Sequence, residues 1–204
     1  GAMHVANLNS AGTFTLVGNN MVNNTASENG GAIYLDASQE FTANISRTSL
    51  NTNDATGNGG ALYVHEKQLT ISMENTTISG NTANKGAGIF FEDAVVEGSS
   101  INHSSIINNA SNSGAGAIQA ANDPVVTLSH DIISGNTGSV RQVCVESAQV
   151  GFDITYSLIN EVPTDDGCTA YMADGNSIVS ATDPQLGDLA SNGGKGETHY
   201  PTIS

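Results

Sequence analysis

Short runs of alternating apolar and polar residues return along this chain at a nearly constant interval. An apolar residue stands three places before an asparagine at Met21/Asn24, Leu50/Asn53, Ile78/Asn81, Ile106/Asn109 and Ile133/Asn136, with steps of 27 to 29 residues. A second series, Ile33, Leu62, Ile89, Ile118 and Val143, follows Gly/Ala runs at steps of 25 to 29 residues. Periods of this size mark a repeat architecture in which no unit buries its apolar face alone. The runs are short and alternate, with no long stretch of helical period, so the repeated element is a strand. The intervals between them are dense in Gly, Asn, Ser and Thr, which are poor helix-interior residues.

Strands that return every 27–29 residues, with small residues at the corners, predict an all-β fold: a parallel β-helix of about six coils. Coils stacked at strand spacing make a rod roughly 30 Å long. The expected organisation is a lead-in or cap over residues 1–13, coils over 14–160, and a loop and closing segment of the same domain over 161–204. Gly1-Ala2-Met3 reads as a cloning remnant.

Within each coil the strand after the Gly/Ala run receives a face assignment from its alternation. Ile33 and Leu35, Leu62 and Val64, Ile89 and Phe91, Ile118 and Ala120, and Val143 and Val145 are expected to point inward. One outward column then reads Tyr34, Tyr63, Phe90, Gln119, Cys144, and the next reads Asp36, His65, Glu92, Ala121, Glu146. Aromatic faces pack on sugar rings or on apolar side chains of a partner. Tyr34, Asp36, Tyr63, His65, Phe90 and Glu92 are therefore the expected ligand-binding strip. The competing expectation is that these aromatics only reinforce neighbouring coils by cross-strand pairing. The asparagines are expected at corners, where Asn tolerates left-handed geometry and can bond its counterpart in the next coil.

Composition narrows the function classes. The formal net charge is −15 with only five Lys and Arg, which excludes a phosphate-neutralising nucleic-acid partner and disfavours an anionic membrane surface. No apolar run reaches the roughly 18–20 residues that a membrane-spanning helix needs. The two cysteines, Cys144 and Cys168, would tie the loop 160–172 to the side of the rod if joined by a disulfide; two free thiols are the alternative. His103 and His130 should stack one coil apart, below Arg47 and Asn75, but two imidazoles without a carboxylate make a poor metal site.

No cofactor is expected. Calcium could be offered oxygens by Asp165-Asp166 or near Asp174, yet neither the Gly-rich nonapeptide nor the EF-hand spacing is present. Catalysis on polysaccharide would need a base beside a cation or two opposed carboxylates. The basic residues Arg47, Lys67, Lys85, Arg141 and Lys195 fall in different columns, and the best one-coil carboxylate pair is Asp131 with Asp153. The columns Thr48/Thr76/Ser104 and Ser49/Thr77/Ser105 also repeat by coil, as an ice-binding surface would, but are broken at Asp131 and Ile132.

The two repeat columns carry a family resemblance. Met21–Asn24 with Gly30-Gly31-Ala32-Ile33, Leu50–Asn53 with Gly59-Gly60-Ala61-Leu62, and more loosely Ile78–Asn81 with Gly86-Ala87-Gly88-Ile89 resemble the paired FxxN and GGA[ILV] motifs of chlamydial polymorphic outer membrane proteins. The first position lacks Phe throughout, and the match fades after Ala117-Ile118. The stretch Asp183 to His199 is similar to the segment that closes many secreted bacterial β-helix repeat proteins. Together these resemblances imply a right-handed parallel β-helix in a secreted or cell-surface protein with an outer membrane-attached parent. They imply an adhesin or autotransporter passenger, acting on a host or neighbouring-cell glycan or protein. The alternative function is a polysaccharide lyase or glycoside hydrolase of the β-helix type. No catalytic residue is carried over by the resemblance.

Overall fold

A computed structural model of the chain describes residues 1–6, 11–37, 39–65, 68–93, 98–122, 124–146, 151–160, 168, 172–173, 176–180, 182, 184–191, 197–199 and 202. Every regular element among them is a β-strand, and every pairing between strands is parallel. The strands form about five full turns of a parallel β-helix. Each turn visits four sheets in order. In the second turn they are Phe41–Ser46 (sheet 1), Ser49–Asn51 (sheet 2), Asp54–Ala55 (sheet 3) and Leu62–His65 (sheet 4).

Both repeat columns stack in register. Met21, Leu50, Ile78, Ile106, Ile133, Ile159 and Val179 succeed one another along sheet 2. Ile33, Leu62, Ile89, Ile118 and Val143 do so along sheet 4. All the residues assigned inward on sheet 4 are buried, and they join Leu16, Ile45, Met73, Ile101 and Leu128 of sheet 1 in one continuous core. Met3–Val5 already pairs with Ile33–Leu35, so part of the lead-in segment is a strand of sheet 4.

The corners explain the motifs. Asn23, Thr52, Gly80, Asn108 and Gly135 have positive φ, so the turn to the left-handed region falls one residue before each asparagine of the column. That turn interrupts strict alternation, and it lets both the apolar residue and the asparagine three places on face inward. The asparagines themselves are therefore not the left-handed residues. A second left-handed column comprises Gly18, Arg47, Asn75, His103, His130 and Tyr156, between sheets 1 and 2. Tyr156 divides the segment 152–159, expected to be a single strand, into Asp153–Thr155 and Leu158–Asn160.

The glycine pair has two separate reasons. At Gly59, φ is +68° and a Cβ would lie 2.5 Å from the Leu62 carbonyl oxygen, because the corner folds back over its own strand. At Gly60, a Cβ would lie 2.5 Å from the carbonyl oxygens of Ala87 and Thr82 in the next turn. The first glycine makes the corner, and the second lets successive turns reach strand spacing.

Candidate functional site

The flank expected to bind a ligand is outward-facing in the strand sense, yet its aromatic rings are closed off. Tyr63 is 4% exposed and Phe90 2%. The rings of Tyr34 and Tyr63 stack at 5.1 Å, and those of Tyr63 and Phe90 at 5.8 Å with planes 2° apart. The glycine corner folds over the same column. A Cβ at Gly86 would lie 3.0 Å from the Phe90 Cβ, and one at Gly30 would lie 2.9 Å from the Tyr34 Cβ. Alternation along the strand thus located the column correctly but did not reveal the cover. Ring faces that pack on one another leave no aromatic platform at Tyr63 and Phe90.

What reaches solvent is the rim of this column. Tyr34, Asp36, His65 and Glu92 are half-buried. His65 Nδ1 stands 3.4 Å from Asp36 Oδ1 in the neighbouring turn. Tyr63 donates its hydroxyl to Glu92 Oε2 at 2.9 Å. Burial, and then that hydrogen bond, push the Tyr63 hydroxyl well above the usual phenol range, so it remains a donor to the carboxylate. The rim therefore presents a carboxylate–imidazole pair and a second, oriented carboxylate, backed by an aromatic stack.

The same column continues into Gln119 and Cys144, each 2% exposed. Cys144 forms a disulfide with Cys168, with Cα atoms 5.3 Å apart, which decides against two free thiols. Most of the loop it tethers, including Asp165-Asp166, lies outside the described residues, as do Asp174, Lys67 and Lys195. Among the described residues, no group of three or more His, Cys, Asp or Glu is placed to hold a metal ion.

Two ladders run inside the corners. In the first, each asparagine side chain donates to the next: Asn24 to Asn53 at 2.9 Å, Asn53 to Asn81 at 2.9 Å, Asn81 to Asn109 at 2.8 Å and Asn109 to Asn136 at 2.8 Å. From Asn53 onward each Oδ1 also accepts the backbone N–H of the preceding asparagine, and each Nδ2 donates to a sheet 2 carbonyl of the preceding turn. Gln142 receives the last rung, from Asn136 Nδ2 at 2.7 Å. Its amide, six residues after the last asparagine of the column, was the only sequence signal for that terminator.

The second ladder lies between sheets 1 and 2. Thr48, Thr76, Ser104, Asp131, Ser157 and Ser177 occupy it, and the side-chain oxygens of Thr48, Ser104, Asp131, Ser157 and Ser177 accept backbone N–H groups from the preceding turn. Asp131 is 1% exposed and accepts the Ser104 N–H at 2.7 Å. Burial raises its carboxyl to about 8, against the pull of backbone hydrogen bonds from Ser104 and Ser129. Asp131 thus does not pair with Asp153, which is exposed on sheet 1 in register with Thr127. The expected opposed-carboxylate pair is not assembled, because Asp131 turns into the corner. His103 and His130 do stack, at 4.8 Å, and Tyr156 continues the stack at 5.2 Å.

The other hydroxyl column is hidden at Ser49 and Thr77 and half-buried at Ser105. Ser49 is 1% exposed and Thr77 6%, because the closing segment folds back along sheet 2. Asn51 Nδ2 donates to Glu197 Oε2 at 3.3 Å, and Ser79 Oγ shares a 2.9 Å hydrogen bond with His199 Nε2. Neither Thr/Ser column offers an open face of the kind an ice-binding surface requires.

Comparison with known proteins adds one finding. Residues 21–36 match the Chlamydia polymorphic membrane protein repeat, a span that begins at Met21, crosses the left-handed corner and the glycine pair, and ends with the sheet 4 strand Ile33–Asp36. No curated protein and no solved structure matches the chain significantly. With that repeat set on a stack of parallel turns, the chain is a parallel β-helix repeat protein that resembles the chlamydial polymorphic membrane proteins.

Proposed function

We propose that this chain is a rigid, outward-displayed segment of a bacterial cell-surface protein, an adhesin or scaffolding passenger. It holds a host or neighbouring-cell glycan or protein along the sheet 4 flank. The observation that carries the reading is the repeat match over residues 21–36, to a family named for membrane proteins. The disulfide agrees with an oxidising, extracellular compartment. In this reading the contact groups are Tyr34, Asp36, His65 and Glu92, while Tyr63 and Phe90 stiffen the surface from behind. A carboxylate–imidazole rim offers both hydrogen-bond donors and acceptors, which suits sugar hydroxyls or a basic protein patch.

Glycan and protein arrays probed with the intact chain test this proposal. A retained ligand whose affinity falls about tenfold or more on His65→Ala or Asp36→Ala, and is unchanged by Thr42→Ala on sheet 1, supports it. An array on which nothing is retained refutes the adhesive reading. A ligand indifferent to both rim substitutions refutes the site.

A further inference from the structure

Lys85, Gln119 and Glu146 come from three successive turns and converge on the outer side of sheet 4. Lys85 lies in the corner leading to Ile89–Phe91, Gln119 is central in Ile118–Ala120, and Glu146 follows Val143–Val145. Lys85 Nζ donates to Glu146 Oε1 at 2.6 Å. Gln119 Nε2 donates to the same oxygen at 2.5 Å. On its other side, Gln119 Oε1 accepts the Ala115 N–H at 2.7 Å. The glutamine is 2% exposed and sits in the column between Phe90 and the disulfide-bonded Cys144. Gly114 permits the convergence: a Cβ there would lie 2.0 Å from Gln119 Oε1 and 2.9 Å from Lys85 Cγ.

Each of the three groups has a role in amide exchange. A carbonyl whose oxygen already accepts a fixed N–H is polarised, and the same donor stabilises the oxyanion formed on attack. An amine held against a carboxylate has a base to take its proton. Residues fixed by neighbouring rungs of a sheet are oriented without a further entropy cost.

We propose that Lys85 and Gln119 join in an intramolecular isopeptide bond, with Glu146 as the proton carrier. The Lys85 ammonium gives a proton to Glu146, and the freed Nζ attacks Gln119 Cδ. The Nζ–Cδ bond forms and the Cδ–Nε2 bond breaks. Of the three protons that Nζ began with, one stays on the new amide nitrogen. The other two, one of them relayed by Glu146, leave with Nε2 as ammonium. No electron changes hands and no co-reactant is needed. The product ties the corner of the third turn to the fourth, one rung from the disulfide that ties the fifth, so a surface-displayed rod would gain two adjacent covalent staples.

Intact mass of the purified, reduced and denatured chain tests the proposal. The expected value is lower than the sequence mass by one ammonia, and a protease digest contains a branched peptide joining Lys85 to Gln119. Lys85→Arg and Glu146→Gln are each expected to restore the ammonia. A chain at its full sequence mass overturns the proposal. So does an ammonia loss that the digest maps to a succinimide at Asn29-Gly30, Asn58-Gly59 or Asn192-Gly193, since those Asn-Gly pairs can expel ammonia on their own.

Discussion

The two corner ladders run parallel to each other inside one rod, and they tolerate substitution differently. The asparagine ladder is unbroken from Asn24 to Asn136 and ends on another amide, Gln142. The hydroxyl ladder runs from Thr to Ser and admits a carboxyl at Asp131 among its serines. The difference follows from what each rung must do. A primary amide both donates and accepts, and in this corner each one makes contacts both to the next amide and to a strand carbonyl. A hydroxyl in the other corner accepts one N–H and donates to a carbonyl two residues back in its own chain, as Ser104 does to Asn102 at 2.9 Å. A carboxyl can replace a hydroxyl as acceptor of that N–H, as Asp131 does through Oδ1, while its Oδ2 makes no hydrogen bond among the described residues. No such replacement serves for an amide with two N–H donors.

The largest effect is expected where the amide ladder is cut. Asn81 is fully buried. It accepts the Asn53 N–H and Nδ2, and it donates to Asn109 Oδ1 and to the Leu50 carbonyl. Asn81→Ala should cost about 4 kcal/mol in urea unfolding, since it strands buried groups in both neighbouring turns. A loss below about 1 kcal/mol would show that the ladder decorates the corner without holding it.

How far such features could be read beforehand depends on what fixes them. Leu50, Ile78 and Ile106 were legible as a stack because burying an apolar column is the condition for the coil to exist at all. The inward partners of sheet 4, from Ile33 and Leu35 to Val143 and Val145, were legible for the same reason. The burial of Tyr63 and Phe90 was not. Period-two alternation says which side of a strand a residue takes, and it says nothing of a glycine corner folded over that side. Asp131 was misread in a related way. Column spacing made it one half of a carboxylate pair with Asp153, but the left-handed φ at His130 turns the next residue into the corner, while Asp153 stays exposed on sheet 1. Nothing in the local sequence separates such a carboxyl from a solvent-exposed one. The return of Glu197 and His199 onto sheet 2 is a contact across more than a hundred residues, beyond the reach of any periodic pattern.

A second, smaller effect tests the claim that a carboxyl serves as a rung only when protonated. The Asp131 carboxyl has an ordinary value of 3.8 and is raised by burial to about 8. Below about pH 4 it is neutral in both folded and unfolded chains, so its burial carries no ionisation penalty. Between those values the unfolded chain releases the proton while the folded chain keeps it, and stability falls as pH rises. Above about 8 the folded carboxyl ionises as well, and the loss levels off. Asp131→Ser should therefore nearly match the parent chain near pH 4 and exceed it by about 3 kcal/mol near pH 6. The difference between the two chains is the quantity to follow, since it cancels the titration of every other carboxylate. A difference that stays flat from pH 4 to 8 would mean that Asp131 is ionised in place.

The smallest effect concerns an ordinary rung of the hydroxyl ladder. Ser104 Oγ accepts the Thr76 N–H at 3.1 Å and donates to the Asn102 carbonyl. Ser104→Ala leaves one N–H without its partner, but the strand pairings on either side remain. The carbonyl it releases belongs to Asn102, which is also held in register with Ser129. The expected cost is about 1 kcal/mol, with no dependence on pH. If it equals the cost of Asn81→Ala, then the two corners are energetically alike. The carboxyl at Asp131 would then owe its place to something other than the looser demands of a hydroxyl rung.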